Sequence, residues 1–461
     1  MNIRLLLLAT AAAASAAVAA ADGSPDYTKG VLFVNEDWYG HQNSTVNHLS
    51  PDDPDGNYWH YRVIQAENPG VELGCTNQYG ALWNGRLYLI AKQERDPGAD
   101  ITGGRITVAD ARTLKVLHQA STIDPSGAQC DGRGFIGVDE HKGYVSTSNG
   151  VWILDLDTYA ILGQVEGSAN PNAGGDNDKP NDDPTGSLYH GQSGSMVAAE
   201  GRIFVAHQQY GLLVVDPADD RVTDVISMDI VAEGAGIGSV VRSRDGMLWL
   251  SVAKNKQGTG ATLPYIVRLD PSTLETTVIP VPEDMYPPAN SWYAWTPDAF
   301  VASTVQNCLY WKGGPNRWFC GTQIYKYDID TSTLSLFIDL DAEGANWKLY
   351  GCSLGVHPVT DELYMSLYHE FGTPTYITRR YGPDGRAIRD YDMIRNYWFP
   401  SLPLFPEGQE QSGITDAAAD SDADAPVEFY NLQGMRVDGM SLAPGVYIRR
   451  QGRTAEKVLI R

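Results

Sequence analysis

Histidine, tyrosine, tryptophan, lysine and glutamine residues recur in this sequence directly after short apolar runs. In RIFVAHQQYGLLVVD, from Arg202, the apolar letters IFVA are followed by His207, Gln208 and Tyr210. Such side chains can stack on flat molecules, orient them by hydrogen bonds or transfer protons. The pattern therefore predicts ligand binding or acid–base chemistry, provided that the fold brings these strand ends to one surface.

The apolar runs belong to a repeat. Strand-like runs with polar ends occur seven times: VLFVNEDW (from Val31), RLYLIAKQ (from Arg86), GYVSTSNG (from Gly143), RIFVAHQQ (from Arg202), MLWLSVAKNK (from Met247), NCLYWKGG (from Asn307) and ELYMSLYHE (from Glu362). Each precedes another strand, usually with an aspartate-bearing turn, and most follow a strand of small residues such as GQSGSMV. Four short strands over roughly 40 to 50 residues are typical of propeller blades.

We therefore predict an all-β fold, a seven-bladed β-propeller over residues 25–407. The first unit lacks the small-residue strand, and YWFPSLPLFP, from Tyr397, follows the seventh unit. We expect this C-terminal strand to complete the first blade, because closing the ring removes exposed sheet edges. Two packed β-sandwiches are the alternative, but a sandwich does not predict seven matching units.

In such a propeller the polar strand ends and the connections between blades emerge on one face. The predicted ligand-binding residues are Trp38, Tyr39, His41, Gln78, Tyr79, Lys92, Gln93, Arg133, Gln192, His207, Gln208, Tyr210, Lys254, Trp295, Trp311, Tyr368, His369 and Trp398. Aromatic faces and amides suit a flat or polar ligand. The alternative is that some of these rings, about half of the tryptophans among them, only pack between blades.

Catalytic signals are weaker than this binding signal. GCSLG, residues 351–355, fits the G-x-S-x-G pattern, but it lies in a small-residue strand and not at a strand-to-helix turn. DNDKPNDDPTG, residues 176–186, offers oxygen ligands without the spacing of a calcium loop, so we interpret it as a solvated insertion. We assign no catalytic residue and no cofactor.

Four histidines could meet around the channel as metal ligands or acid–base groups: His41, His190, His207 and His369. Single histidines on such a rim more often serve as hydrogen-bond donors. No cysteine pair has the close spacing of a zinc site. We therefore predict no metal site.

Five cysteines accompany an N-terminus that reads as an export signal. MNIR and the apolar run after it, with small residues before Gly23, predict a signal peptide over residues 1–22. In an oxidising compartment, Cys308 and Cys320 flank LYWKGGPNRWF, and a hairpin there predicts a disulfide. Cys75 and Cys130 are a second candidate pair, which leaves Cys352 over.

The net charge of −23 argues against binding to nucleic acid or to an anionic membrane. Residues 408–426 are acidic and short of aromatics, which predicts a flexible linker. After them, YNLQGMRV, APGVYIRR and KVLI lie in a small β module over residues 427–461. This module resembles the C-terminal sorting domains of type IX secretion substrates; a carbohydrate-binding or structural tail is the alternative. The resemblance implies contact with secretion machinery and a place outside the cell or on its surface.

The propeller region also carries a resemblance, through GVLFVNEDWYGHQNSTVNHLSPD, the blade-turn aspartates and the closing YWFPSLPLFP. It resembles seven-bladed surface propellers of gut-type bacteria with an uncharacterised propeller domain, a group that includes extracellular cobalamin-capture proteins. The resemblance implies an exported binding protein for a small polar ligand, a corrinoid or a saccharide, with an outer-membrane transporter as a candidate partner. We expect the protein to be a monomer.

Two other functions remain open on the sequence. A lyase or hydrolase acting on glycans or lactones would need a titratable pair within hydrogen-bond reach at the channel mouth. A protein-interaction propeller would present a broad, flat face without a deep central pocket.

Overall fold

The computed structural model describes residues 25–37, 39–172, 188–254, 261–288, 299–314, 320–369, 375–394, 400–407, 427–430, 436–437, 445–451 and 454–460. Strands make up 51% of the structure and helices 2%. The helical elements described are α1 (Val63–Glu67) and a 3₁₀ turn at Leu188–His190. Within these ranges, no helix has the length and apolar character needed to span a membrane.

The strands of blades 1 to 4 are β1 (Val31–Asn35), β2 (Thr45–Leu49), β3 (Trp59–His60), β4 (Cys75–Trp83), β5 (Arg86–Gln93), β6 (Ile106–Asp110), β7 (Val116–Ala120), β8 (Gly132–Gly137), β9 (Lys142–Thr147), β10 (Gly150–Asp155), β11 (Ile161–Gln164), β12 (Ser193–Ala199), β13 (Arg202–His207), β14 (Gly211–Asp216) and β15 (Arg221–Ile226). Those that follow in blades 5 to 7 are β16 (Ala235–Arg242), β17 (Leu248–Lys254), β18 (Ala261–Leu269), β19 (Thr276–Pro280), β20 (Phe300–Ala302), β21 (Cys308–Gly313), β22 (Cys320–Gly321), β23 (Gln323–Asp328), β24 (Thr333–Asp339), β25 (Lys348–Val356), β26 (Leu363–Tyr368), β27 (Tyr376–Tyr381) and β28 (Ala387–Asp392).

These strands form the seven antiparallel sheets of a β-propeller, as predicted. Blade 2 comprises β4–β7, blade 3 β8–β11, blade 4 β12–β15 and blade 5 β16–β19. Blade 6 comprises β20, β21, β23 and β24, and blade 7 comprises β25–β28 together with β22. Blade 1 has the order β29-β1-β2-β3, in which β29 (Pro400–Leu404) is the innermost strand. Strand β29 pairs with β1 in antiparallel register, with Leu402 opposite Val34 and Leu404 opposite Leu32. The C-terminal strand of the propeller therefore closes the ring, which confirms the expected closure.

Strand β13 shows why the second strand of a blade is apolar throughout. Its residues Ile203, Phe204, Val205 and Ala206 are all fully buried. Phe204 and Ala206 pack in a core shared with blade 5, whereas Ile203 and Val205 pack in a core shared with blade 3. Because side chains alternate along a strand, a strand covered on both faces reads as a continuous apolar run.

The predicted hairpin between Cys308 and Cys320 does not form. Strand β21 pairs with β23, so that Cys308 lies opposite Asp328, whereas Cys320 in β22 pairs through its backbone with Tyr350 of blade 7. Cys308 is a buried free thiol. The predicted disulfide to Cys320 is therefore wrong, because the two cysteines lie on strands of different sheets. Three further cysteines, Cys75, Cys130 and Cys352, are also buried and form no disulfide among the described residues, so the second candidate pair, Cys75 with Cys130, is not formed.

A separate four-stranded antiparallel sheet lies after the propeller in the chain. Its order is β31-β30-β32-β33. The strands are β30 (Val427–Tyr430), β31 (Arg436–Val437), β32 (Gly445–Gln451) and β33 (Thr454–Ile460). The predicted signal peptide and linker, residues 1–22 and 408–426, lie outside the described residues.

Candidate functional site

The polar residues of several blades meet at one end of the central channel. Each innermost strand begins where the neighbouring second strand ends, as the pairs Cys75 with Gln93 and Ser193 with His207 illustrate. We call the polar side chains gathered at this end the mouth cluster. Its members are Glu36, Gln78, Lys92, Asp131, Arg133, Tyr189, Gln192, Gln208 and Tyr350.

Glu36 forms one half of the mouth cluster. It follows β1 of blade 1, is partly exposed, and its Oε2 accepts hydrogen bonds from Gln78 Nε2 at 2.8 Å and Tyr350 OH at 2.9 Å. Burial raises the pKa of Glu36, and the charge of Lys92 opposes this effect. Burial also raises the pKa of Tyr350 well above its usual range, and the Glu36 carboxylate adds to the increase. The Tyr350 hydroxyl is therefore a proton donor at neutral pH.

Lys92, near the end of β5, is a cation of the mouth cluster whose charge state changes near neutral pH. Burial lowers the pKa of Lys92 to about 7, and the neighbouring Arg133 charge lowers it further, whereas Glu36 and Asp131 act in the opposite direction. A lysine with such a pKa exists in both protonation states near neutrality, so it can donate or accept a proton. Groups of this kind concentrate at functional sites.

Arg133 is the centre of the other half of the mouth cluster. Its Nε and Nη2 donate to Gln192 Oε1 at 3.0 and 2.5 Å, and its Nη2 lies 3.7 Å from Asp131 Oδ2. Tyr189 OH donates to the same Asp131 oxygen at 3.1 Å. Burial lowers the pKa of Arg133 to about 10, and Asp131 opposes this effect. The guanidinium is thus buried in a network of oxygen acceptors.

A chain of amides extends the cluster into blade 4. Gln192 Nε2 donates to Gln208 Oε1 at 3.3 Å, and both side chains are fully buried. Gly236 of blade 5 allows this approach, because a Cβ there would lie 1.8 Å from the backbone oxygen of Gln208. The small-residue pattern GIGS therefore reflects close contact between blades at the channel mouth.

Two buried polar atoms near the channel mouth lack a hydrogen-bond partner among the described residues. They are Gln78 Oε1 and Ser193 Oγ, on side chains that are 3% and 0% exposed. A buried polar atom without a partner costs roughly 1 to 3 kcal/mol. Such atoms at a ligand site are satisfied when a ligand or a water binds. Together, the cluster offers two carboxylates, two cations, three amides and two phenols to a polar molecule.

Comparison with known families identifies the propeller. Residues 29–406 match the family described as Domain of unknown function (DUF5074). The chain belongs to this family. No curated protein matches the chain.

Three solved structures match the DUF5074 chain. A crystal structure of a protein from Lactobacillus plantarum matches with a TM-score of 0.50 and 13% identity, over 79% of this chain and 96% of the other. The β-propeller domain of Myceliophteria thermophila Cps50 (Swd1) matches with a TM-score of 0.43 and 10% identity, over 68% and 94%. A chain of the Mitotic Checkpoint Complex matches with a TM-score of 0.41 and 12% identity, over 85% and 89%. At 13% identity, the similarity to the Lactobacillus plantarum protein shows the fold alone.

The DUF5074 domain brings five of the predicted ligand-binding residues into the mouth cluster: Gln78, Lys92, Arg133, Gln192 and Gln208. Other predicted residues lie elsewhere. Tyr39 and His41 are exposed, and His41 lines a separate cavity of about 270 Å³ between the loops of blades 1 and 2. Tyr79 lies farther down the channel and donates a hydrogen bond to Phe135 O. Gln93 lies opposite Cys75 at the start of blade 2.

His207 is a structural residue, contrary to its predicted place on the rim. It is fully buried, and its Nδ1 accepts hydrogen bonds from the backbone N–H groups of Gln209 and Tyr210 at 3.1 and 2.9 Å. Burial lowers the pKa of His207 to about 4. The Tyr210 ring stacks on the imidazole at 4.5 Å and is 40% exposed. Of this pair, Tyr210 is the residue that faces solvent.

Trp311 and Tyr368 are also packing residues and do not lie on an open rim. Trp311 is fully buried in a core between blades 5 and 6, and its Nε1 donates to Tyr286 O at 2.8 Å. Tyr368 is 3% exposed and stacks on Tyr376. His369, which is partly exposed, packs on Trp347 with ring centroids 3.9 Å apart.

Several predictions fall on positions outside the described residues: Trp38, Trp295, Trp398, the side chains of Lys254 and His190, and the insertion 176–186. Within the ranges that the structure describes, no group of three or more His, Cys, Asp or Glu side chains is arranged to hold a metal ion. The proposed meeting of four histidines is not observed for His207, which is buried inside blade 4.

Four residues of the mouth cluster were not predicted from the sequence: Glu36, Asp131, Tyr189 and Tyr350. Glu36 lies in the polar end of the first run, VLFVNEDW, but the prediction selected the aromatic residues beside it. Asp131 directly precedes β8, the innermost strand of blade 3. Tyr350 is a large residue inside a strand of small residues, and nothing in the sequence indicates that it reaches Glu36.

Proposed function

We propose that the protein is an exported binding protein that captures a small polar ligand at the channel mouth. The observation that carries the proposal is the mouth cluster, in which blades 1, 2, 3, 4 and 7 each contribute charged, amide or phenol groups. Burial of charged and polar groups lowers the stability of a protein unless the groups are paired or hydrogen-bonded. Perturbed pKa values such as that of Lys92 favour a functional site over a purely structural role.

The chemistry of the cluster favours a ligand rich in amides or hydroxyls. The free acceptor of Gln78 and the hydroxyl of Ser193 call for both donors and acceptors on the ligand. A corrinoid such as cobalamin, which is fringed by amides, is our candidate, and a saccharide is the alternative with the same hydrogen-bonding groups.

Export and partners form part of the same proposal. Residues 1–22 would direct export, and residues 427–461 would engage type IX secretion machinery, so that the monomeric protein acts at the cell surface. There an outer-membrane transporter would receive the ligand. These steps are supported by the sequence pattern alone.

Calorimetric titration of the full-length protein with cyanocobalamin tests the ligand. We expect saturable one-to-one binding that Gln78→Met weakens about tenfold, the value of one buried hydrogen bond. Gln119→Met is the matched control, because Gln119 lies on the outermost strand of the same blade and binds Glu72 O. Absence of binding heat at several temperatures would remove corrinoids, and a panel of oligosaccharides would follow.

An enzyme is the second candidate, because the structure contains a titratable pair within hydrogen-bond reach at the mouth. Tyr350 OH and Glu36 Oε2 are 2.9 Å apart, beside a lysine with a pKa of about 7. A lyase or hydrolase could use Lys92 as a base and Tyr350 as an acid. Turnover of a glycan or lactone that is lost in both Lys92→Met and Tyr350→Phe would favour this candidate; binding without turnover would exclude it for that ligand.

A further inference from the structure

The half of the central channel opposite the mouth contains a second cavity, of about 310 Å³. It is lined by the innermost strands of blades 1 to 5, in the parts of β4 and β16 far from the mouth ends at Cys75 and Ala235. The apolar residues of its wall include Leu82, Ile136 and Val197, which are partly exposed, and Met196. Its volume lies at the lower end of the range of roughly 300 to 1,000 Å³ found for small-molecule sites.

The wall of this cavity also contains one cation, Arg242, at the last position of β16. Arg242 is partly exposed, and among the described residues it has neither an ion pair nor a side-chain hydrogen bond. Other arginines of the propeller are differently placed: Arg379 and Arg380 each pair with two carboxylates. Guanidinium groups bind carboxylates through two parallel hydrogen bonds, so Arg242 is equipped for an anion.

We propose that this lower channel is a second binding site, which takes a small amphipathic carboxylate. The apolar body of the ligand would lie against Ile136, Met196 and Val197, and its carboxylate would pair with Arg242. Apolar burial supplies the attraction, and the charge pair fixes the orientation of the ligand. The flexible Met196 side chain can adapt to the shape of the ligand. The site is independent of the proposed function at the mouth, since the two share no residue.

The test is a titration of the full-length protein with octanoate, observed through the methyl groups of ¹³C-labelled methionine. Met196 is one of nine methionines, and its signal can be assigned with Met196→Leu. We expect a saturable shift of the Met196 signal with octanoate, and binding at least tenfold weaker for uncharged 1-octanol, the effect of one charge-assisted hydrogen bond.

Two variants separate the charge pair from general apolar binding. Arg242→Gln should reduce octanoate affinity to that of octanol while leaving octanol binding unchanged, which also shows that the variant is folded. Arg244→Gln removes an equal charge from an exposed position two residues away and should bind octanoate normally. An unmoved Met196 signal, or equal affinities for octanoate and octanol in the unmodified protein, would overturn the proposal, as would full octanoate affinity in Arg242→Gln.

Discussion

Glu36 and Tyr350 are separated by 314 positions in the chain, yet the Tyr350 hydroxyl donates a hydrogen bond of 2.9 Å to the Glu36 carboxylate. The bond joins blade 1 to blade 7 across the seam where β29 closes the ring. The same carboxylate accepts from Gln78 of blade 2. The closure of the propeller and the construction of the mouth cluster therefore depend on each other.

We expect the Glu36–Tyr350 contact to couple the two residues energetically. Tyr350→Phe should lower the free energy of unfolding by about 1 to 2 kcal/mol, and the cost should largely disappear when Glu36→Gln is already present, because the charged acceptor is then gone. Urea titrations of the four proteins in the cycle measure this coupling. Tyr325→Phe combined with Glu36→Gln is the control and should be additive, since Tyr325 OH binds Gln323 within blade 6. Strict additivity for Tyr350 as well would contradict the prediction.

Lys92 should make stability increase with pH above neutrality. Its pKa is lowered to about 7 in the folded protein by burial and by Arg133, compared with about 10.4 in an unfolded chain. Between these values the unfolded chain binds more protons, so the free energy of unfolding rises with pH, whereas below pH 7 the cost of the buried charge is fully present.

Lys92→Met should flatten this rise, which is on the order of a few kcal/mol. Unfolding titrations at pH 6.5 and 9.5 compare it with the unmodified protein and with Lys29→Met, an exposed lysine that should not alter the slope. An identical pH dependence in Lys92→Met and the unmodified protein would show that Lys92 keeps an ordinary pKa.

His207 and Tyr210 should differ sharply in their effects on stability. His207→Ala leaves a cavity and frees two backbone N–H groups, so we expect a loss of about 2 to 4 kcal/mol. Tyr210→Ala should cost less than 1 kcal/mol because the ring is 40% exposed. The exposed His141 provides the control, as His141→Ala should change thermal unfolding little.

The pH dependence of the same histidine offers a second test. Its pKa of about 4 lies below the unfolded value, so the stability that it contributes is complete above pH 6.5 and is lost as the pH falls towards 4. His207→Asn should reduce this acid destabilisation relative to the unmodified protein. If both proteins lose stability equally between pH 6.5 and 4, the buried neutral imidazole is not the cause.

Cys308 should be a free thiol in the purified protein. We expect iodoacetamide, added during unfolding without a reductant, to alkylate Cys308 completely, together with Cys75, Cys130 and Cys352. Burial raises the pKa of the Cys308 thiol, so the folded protein should react slowly. Mass spectrometry of the peptides provides the measurement. A peptide linked through Cys308 and Cys320 would refute the strand pairing described for blade 6.

The sequence by itself determined the architecture, because the blade repeat is a local signal. The apolar run IFVA of β13 predicts a strand, and the recurrence of such runs in seven units predicts the seven blades. The late strand β29 was predictable because only the first unit lacked an innermost partner. Each of these predictions rests on residues that are neighbours in the chain and on the number of repeat units, so it requires no knowledge of the distances between blades.

The tertiary structure alone decided which polar residues share a site. His207 and Lys92 both stand at polar strand ends, yet the first is fixed inside its own blade and the second joins Glu36 and Arg133. Tyr350 meets Glu36 only because the ring closes, and Cys320 leaves the predicted hairpin because blade 7 offers its backbone a partner. Side-chain direction and contacts between distant blades depend on packing around the whole ring, which no local pattern contains.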